Sequence, residues 1–119
     1  MYTQYLNELP ESWQPALKVF SALGDPMRQK ILLMFEPGEE LSIKDIVAAF
    51  PLSRTAMVHH LGVLLKAGIL SSRRKGKESL YTLHPEAVLR AMEDLRLYIK
   101  EVIPEAYANF QATLEGEGL

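Results

Sequence analysis

Cysteine is absent from the 119 residues, which excludes disulfides, thiolate metal sites, iron–sulfur clusters and cysteine nucleophiles together. No unbroken apolar run exceeds five residues, the length reached at 31–35, far short of the ~20 needed to cross a bilayer. The opening Met1-Tyr2-Thr3-Gln4-Tyr5 has no basic stretch ahead of an apolar one, so no secretory signal and no membrane partner are expected, and a cytoplasmic protein is. Also missing are Gly-x-Ser-x-Gly, His-Glu-x-x-His, a Gly-rich phosphate loop and an acidic metal cluster. Neither catalysis nor a cofactor is therefore expected. What is present is 48% apolar and 24% charged sequence, enough for one folded domain over 1–119. There is no internal repeat, linker or low-complexity tract.

The net charge of −2 hides a lopsided distribution. Residues 53–85 carry six basic side chains (Arg54, Lys66, Arg73, Arg74, Lys75, Lys77) against the single acid Glu78, a net of +5. The rest of the chain has seven basic and fourteen acidic residues, a net of −7. A basic stripe on an acidic body is the electrostatic footprint of a DNA-binding domain, although a charged block can equally be a solvated face. The elements must decide.

Tyr2, Tyr5, Leu6 and Leu9 precede Pro10 in a short arm or helical turn. Ser12 is expected to cap a helix over about 12–23, with Pro15 tolerated in its first turn. Leu9, Trp13, Leu17, Phe20 and Leu23 form one apolar stripe on it. Gly24 stops this helix, and Asp25-Pro26 opens another through Phe35, ending at Pro37-Gly38. Ser42 caps a helix through Phe50, and Pro51-Leu52 turns the chain. Ser53 then caps a second helix from Arg54 to Ala67, with Gly68 at the left-handed C-terminal position. The pair makes a helix-turn-helix over about 42–67. Two extended runs flank Lys75-Gly76-Lys77-Glu78, giving a hairpin, or wing, over about 69–83 in which Gly76 supplies a positive φ. A final helical segment spans about 86–113 and is broken at Pro104; residues 115–119 are expected to fray. The fold class is mainly α with a small β-hairpin, a winged helix-turn-helix.

At 100° per residue, Met57, Leu61 and Leu64 share the inner face of the second helix, whereas Thr55, His59, Gly62 and Lys66 point away, flanked by Arg54 and Val58. A recognition helix presents its N-terminal residues to the major groove. Arg54 can pair with guanine O6 and N7, Thr55 can reach a phosphate or base, and Val58 can touch a thymine methyl. Ser53 and His59 complete this candidate surface. His60 lies toward the packed side and reads as a hydrogen-bonded structural histidine. Adjacent histidines diverge by about 100°, so the two cannot ligate one metal from a helix. Arg73, Arg74, Lys75 and Lys77 crowd four cations into five residues, which suits phosphate contact.

The terminal helices carry a second signal. Trp13, Leu17 and Phe20 on one, and Met92, Leu95, Ile99 and Val102 on the other, exceed what a three-helix core and a hairpin can cover. A two-fold partner would bury them, giving a homodimer joined through the first and last helices.

The segment Ala22-Leu23-Gly24-Asp25-Pro26-Met27-Arg28-Gln29-Lys30-Ile31-Leu32 resembles the opening signature of ArsR/SmtB-type winged-helix repressors. Leu52-Ser53-Arg54-Thr55-Ala56-Met57-Val58-His59-His60-Leu61 resembles their recognition helix, and residues 64–70, 73–77 and 81–83 resemble the turn and wing that follow. The resemblance implies a homodimer that binds double-stranded DNA at an inverted repeat, represses transcription and is released by an effector, here unknown. The alternative is a winged helix used for protein–protein contact without specific DNA binding. The departures concern metals. Ser42 and Lys44 stand where the family's arsenic-, cadmium- and lead-sensing members carry cysteines, and no histidine follows His84 to make the zinc-type site. No metal site is expected. A carboxylate-only set from Glu86, Glu93, Asp94, Glu101 and Glu105 is outweighed by solvated surface acids, and what remains is a small organic effector between the terminal helices or no effector at all. Val58 replaces the family's usual small hydroxyl residue at a base-facing position, which points to an altered operator sequence.

Overall fold

The computed structural model describes residues 1–116. Its first nine residues are exposed and form turns and bends, and after half-buried Pro10 a 3₁₀ turn, Glu11–Trp13, leads into helix α1, Gln14–Leu23. Ser12 does not cap this helix. The chain arrives through Pro10 and the 3₁₀ turn, so Trp13 occupies the N-cap position without a side-chain bond, and Pro15 sits in the first turn as expected. Helix α2, Pro26–Leu33, starts at Asp25, whose carboxylate accepts from the backbone N–H of Met27 (2.7 Å) and Arg28 (3.3 Å). Desolvation pushes that carboxyl up, but the two N–H bonds, followed by the charge of Arg28, outweigh it and hold Asp25 below its ordinary value.

Before the helix-turn-helix comes a strand, β1, Glu40–Ser42, which the sequence reading leaves out. It pairs antiparallel with β3, Glu78–Leu83, which in turn pairs with β2, Leu70–Lys75, so the wing is the outer part of a three-stranded sheet ordered β1-β3-β2 rather than a free hairpin. Ser42 ends β1 and also caps α3, Ile43–Ala49. Its hydroxyl accepts from Asp45 N–H (3.1 Å) while the Asp45 carboxylate accepts from Ser42 N–H (3.3 Å), a reciprocal capping box. Helix α4, Arg54–Lys66, follows a three-residue turn beyond Phe50.

The core is gathered where α1 to α4 meet the base of the sheet. Ile31, Ile46, Met57, Leu61, Leu64, Ile69 and Leu70 are essentially sealed from solvent, and Ala16, Val19, Ala22 and Ala91 let α1 and α5 close over them. Helix α5, Pro85–Val102, runs along α1. Trp13 meets Tyr98 of α5 edge-to-face, with ring centroids 5.0 Å apart. Ile103 breaks the helical path and Pro104 starts a separate helix α6, Pro104–Gly116, so the segment expected over 86–113 is two helices folded on each other. A polar cluster ties them together: Arg96 makes two bonds to Glu93 (2.6 and 2.8 Å), donates to the Tyr107 hydroxyl and lies over the Tyr107 ring. Helix α6 includes Glu115 and Gly116; the remainder of the stretch expected to fray, 117–119, lies outside the described residues.

The molecule measures 53 × 41 × 24 Å with a radius of gyration of 17.9 Å, above the ~13–14 Å of a spherical domain of this length. No helix among the described residues is long and apolar enough to cross a membrane.

Candidate nucleic-acid interface

Helix α4 is anchored at both ends by local chemistry. Ser53 Oγ accepts from Ala56 N–H (3.1 Å), satisfying an unpaired first-turn donor. At the far end Gly68, with φ +75°, lets its own N–H bond Leu65 O (3.0 Å) and the Ile69 N–H bond Leu64 O (3.1 Å). These two bonds make a Schellman closure, and the burial of Leu64 and Ile69 supplies its apolar contact. Met57, Leu61 and Leu64 hold the inner face in the core. Thr55 and His59 face away, flanked by Arg54 and Val58 nearer the N-terminus; all four are exposed, with Val58 at 50%. His60 is half-buried, and its Nδ1 accepts from Arg28 at 3.4 Å, the hydrogen-bonded structural role read from its place on the wheel.

The wing turns through Gly76-Lys77. Gly76 has φ +61° and Lys77 does not have positive φ, which fits a type II′ turn with glycine at its first central position. Arg73 and Arg74 project to opposite faces because strand side chains alternate. Arg74 lies on the face shared with buried Leu70 and Tyr81, and its guanidinium reaches Ser79 Oγ (3.3 Å). Arg73 lies on the other face and spans β3 to Glu40 of β1, with two bonds of 2.6 and 2.8 Å. This hydrogen bond holds the Glu40 carboxyl below its ordinary range and raises the Arg73 pKa. Of the four wing cations singled out in the sequence, Arg73 is thus already neutralised within the chain. Lys75 and Lys77 have no ion-pair partner among the described residues. At the wing's base His84 joins Ser71 Oγ (2.6 Å) to the Glu86 carboxylate (3.1 Å), tying β2 to the start of α5.

The terminal helices show two distinct faces. Helix α1 turns Ala16, Val19 and Ala22 inward, while Leu17 and Phe20 face outward at 46% and 37% exposure. On α5, Met92 is exposed and Leu95, Ile99 and Val102 are half-buried. Phe20, Met92, Leu95, Ile99, Tyr107 and Phe110 line a groove of about 510 Å³ between α1, α5 and α6. Trp13 differs from the rest of its proposed set, because Tyr98 covers part of it within the same chain. Among the described residues, no three His, Asp or Glu side chains assemble into a metal-ligand group.

A capped pair of short helices followed by a cationic hairpin on a three-stranded sheet defines a winged helix-turn-helix, a DNA-binding fold. Comparison with known proteins agrees and narrows the class. The Helix-turn-helix domain family matches residues 23–73. The chain is 38% identical over 66 residues to the transcriptional repressor SdpR of Bacillus subtilis, covering 56% of this chain and 72% of that protein. It is 35% identical over 85 residues to a cadmium resistance transcriptional regulatory protein CadC homolog of Staphylococcus aureus, covering 71% of this chain and 70% of the relative. The ArsR-like transcriptional regulator from Rhodococcus sp. RHA1 shares the fold, with a TM-score of 0.65 at 22% identity over 90% of this chain and 95% of that one. The chain belongs to the ArsR family of winged helix-turn-helix regulators, and is a DNA-binding transcriptional regulator.

The sequence reading omits β1, the Arg73–Glu40 pair and the Arg28 network. Only the last had a local signal: Arg28 sits three residues after the capping Asp25, on the first turn of its helix.

Proposed function

We propose that the protein is a homodimeric repressor that binds an inverted-repeat operator, each protomer placing α4 in a major groove and its wing on the adjacent backbone. One observation carries the reading: the exposed N-terminal part of α4, with Arg54, Thr55, Val58 and His59, accompanies a wing whose Lys75 and Lys77 have no ion-pair partner among the described residues. Arg54 is the base-reading residue, bidentate to a guanine edge. Val58 packs on a thymine methyl, while Ser53, Thr55 and His59 complete the surface. Arg74, Lys75 and Lys77 meet phosphates, which supply affinity without sequence information. Arg73 acts differently, because Glu40 already holds it; it stiffens the wing across the sheet.

The dimer reading rests on the outward apolar faces of α1 and α5. Leu17, Phe20, Met92, Leu95, Ile99 and Val102 form the proposed contact, Trp13 contributes the part that Tyr98 leaves open, and a second copy covers the groove against α6. Two-fold pairing through these faces would set two α4 helices about one DNA turn, roughly 34 Å, apart. The repressor sign is supported by relatives that carry that name.

The test is binding to duplex DNA across a salt series. The expected result is a steep fall of affinity with salt for every duplex, plus an affinity for one inverted repeat ~10³-fold or more above random sequence. Absence of binding to any duplex, even at low salt, would turn the reading toward a protein-contact module.

A further inference from the structure

Helix α1 ends with unpaired carbonyls and the negative end of its dipole, as every helix does. The closing groups come from α2. Arg28 Nε donates to Ala22 O (2.7 Å), its second terminal nitrogen donates to Ser21 O (3.2 Å), and Gln29 Nε2 donates to Leu23 O (2.6 Å). The other Arg28 terminal nitrogen lies 3.7 Å from the Asp25 carboxylate and donates to His60 Nδ1 at 3.4 Å. The Arg28 side chain is only 14% exposed. One planar guanidinium therefore joins the end of α1, the cap of α2 and the middle of α4.

The chemistry fixes the histidine. A guanidinium only donates, so Nδ1 must accept, and a neutral His60 is held as the tautomer with its proton on Nε2. The remaining anchors of α4, Met57, Leu61 and Leu64, are apolar and their burial is non-directional. We propose that Arg28 is a positioning residue for DNA recognition: through His60 it sets the orientation of α4 relative to α1. This rests on the reading of α4 as the DNA-contacting helix. Because α1 also carries part of the proposed dimer contact, the Arg28–His60 bond ties the dimer helix to the DNA-reading helix.

Side-chain geometry supplies the test. Asparagine places its carbonyl oxygen near the position of His Nδ1, whereas glutamine places its oxygen near Nε2. His60→Asn should keep operator affinity within about 2-fold, and His60→Gln and His60→Ala should lose about 10-fold, the effect of roughly one charge-assisted hydrogen bond. Arg28→Lys keeps the charge at the end of α1 but lacks the fork that spans all these partners, and should lose a similar factor. Combining it with His60→Ala should lose no more than either change alone. The ¹⁵N signals of the His60 ring in the DNA-free protein should show the Nε2–H tautomer, and Arg28→Lys should release it into a mixture. Multiplying losses in the double variant would overturn the proposal, as would equal affinity of His60→Asn and His60→Gln. A wild-type ring with the proton on Nδ1 would overturn the clamp without reference to DNA. Arg54→Ala is the control on the underlying reading: if it too leaves operator affinity unchanged, the assignment of α4 fails while the ring signals still decide the clamp.

Discussion

The central module, from β1 through β3, and the terminal helices α1, α5 and α6 treat their apolar side chains in opposite ways. In α4 the large residues of the inner face, Met57, Leu61 and Leu64, are sealed, and the outer face is polar or cationic apart from Val58. In the terminal helices the residues sealed against the core are alanines and one valine (Ala16, Val19, Ala22 and Ala91), while Phe20, Leu89, Met92, Leu97 and Phe110 stay exposed. The first region meets its burial requirement within one chain. The second has small residues where it meets its own core and large ones facing outward, the arrangement that the proposed dimer contact requires. The elongated shape follows from the same division, since α5 and α6 extend beyond the shared core.

That contrast can be broken most severely at the groove. Ile99→Glu or Leu95→Glu places a carboxylate where the proposed partner would desolvate it, at a cost of several kcal/mol. Dimer and operator binding should both fall by ~10²-fold or more, read by sedimentation and by DNA titration, though neither residue is expected to touch DNA. The opposite test lies on the two faces of α4. Leu61→Ala should destabilise the fold by about 2–5 kcal/mol in denaturant unfolding. Val58→Ala, three residues earlier and 50% exposed, should leave stability within about 0.5 kcal/mol and change only preference at a base pair. On the same outer face, Arg54→Ala should cost about 1–3 kcal/mol on the cognate site and much less on random duplex; equal losses on both would make Arg54 a phosphate contact.

Smaller effects separate the wing cations from one another. Lys75→Ala and Lys77→Ala should each lower the slope of log K against log salt by about 1, while Arg73→Ala should change it less because Glu40 already compensates that charge. The pH dependence has a defined sign. The Glu40 pKa is depressed in the folded state, so its pairing contributes stability above the unfolded carboxylate pKa and loses it as pH falls through the lower folded value. The Asp25 cap behaves the same way, its N–H bonds outweighing desolvation. An acid titration of wild type against Glu40→Gln should show the difference between them vanish at low pH.

What could be read from the sequence was what local chemistry dictates. Asp25-Pro26, Ser42 and Ser53 mark helix starts because their side chains bond N–H groups two or three residues away, and Gly68 and Gly76 mark backbone positions of positive φ. Strand β1 was not legible because three residues show no period and its partner β3 lies some forty residues away. Ser12 misled because a good capping residue was overridden by the path that Pro10 and the 3₁₀ turn impose. The partners in the two arginine networks were not legible for a related reason. Arg73 finds Glu40 across 33 residues and Arg28 finds His60 across 32, and hydrophobic periodicity carries no information about polar contacts made only in the folded chain. For the proposed DNA-facing residues, the sequence suggested a face and the structure shows which of its cations is already paired, Arg73 with Glu40.

The most direct test of the two-region account is sedimentation of the wild-type protein at micromolar concentration, alone and with an inverted-repeat duplex. The account predicts a dimer in both cases, with two protomers per duplex, and a monomer for Ile99→Glu. A wild-type monomer that binds the operator with full affinity would contradict it.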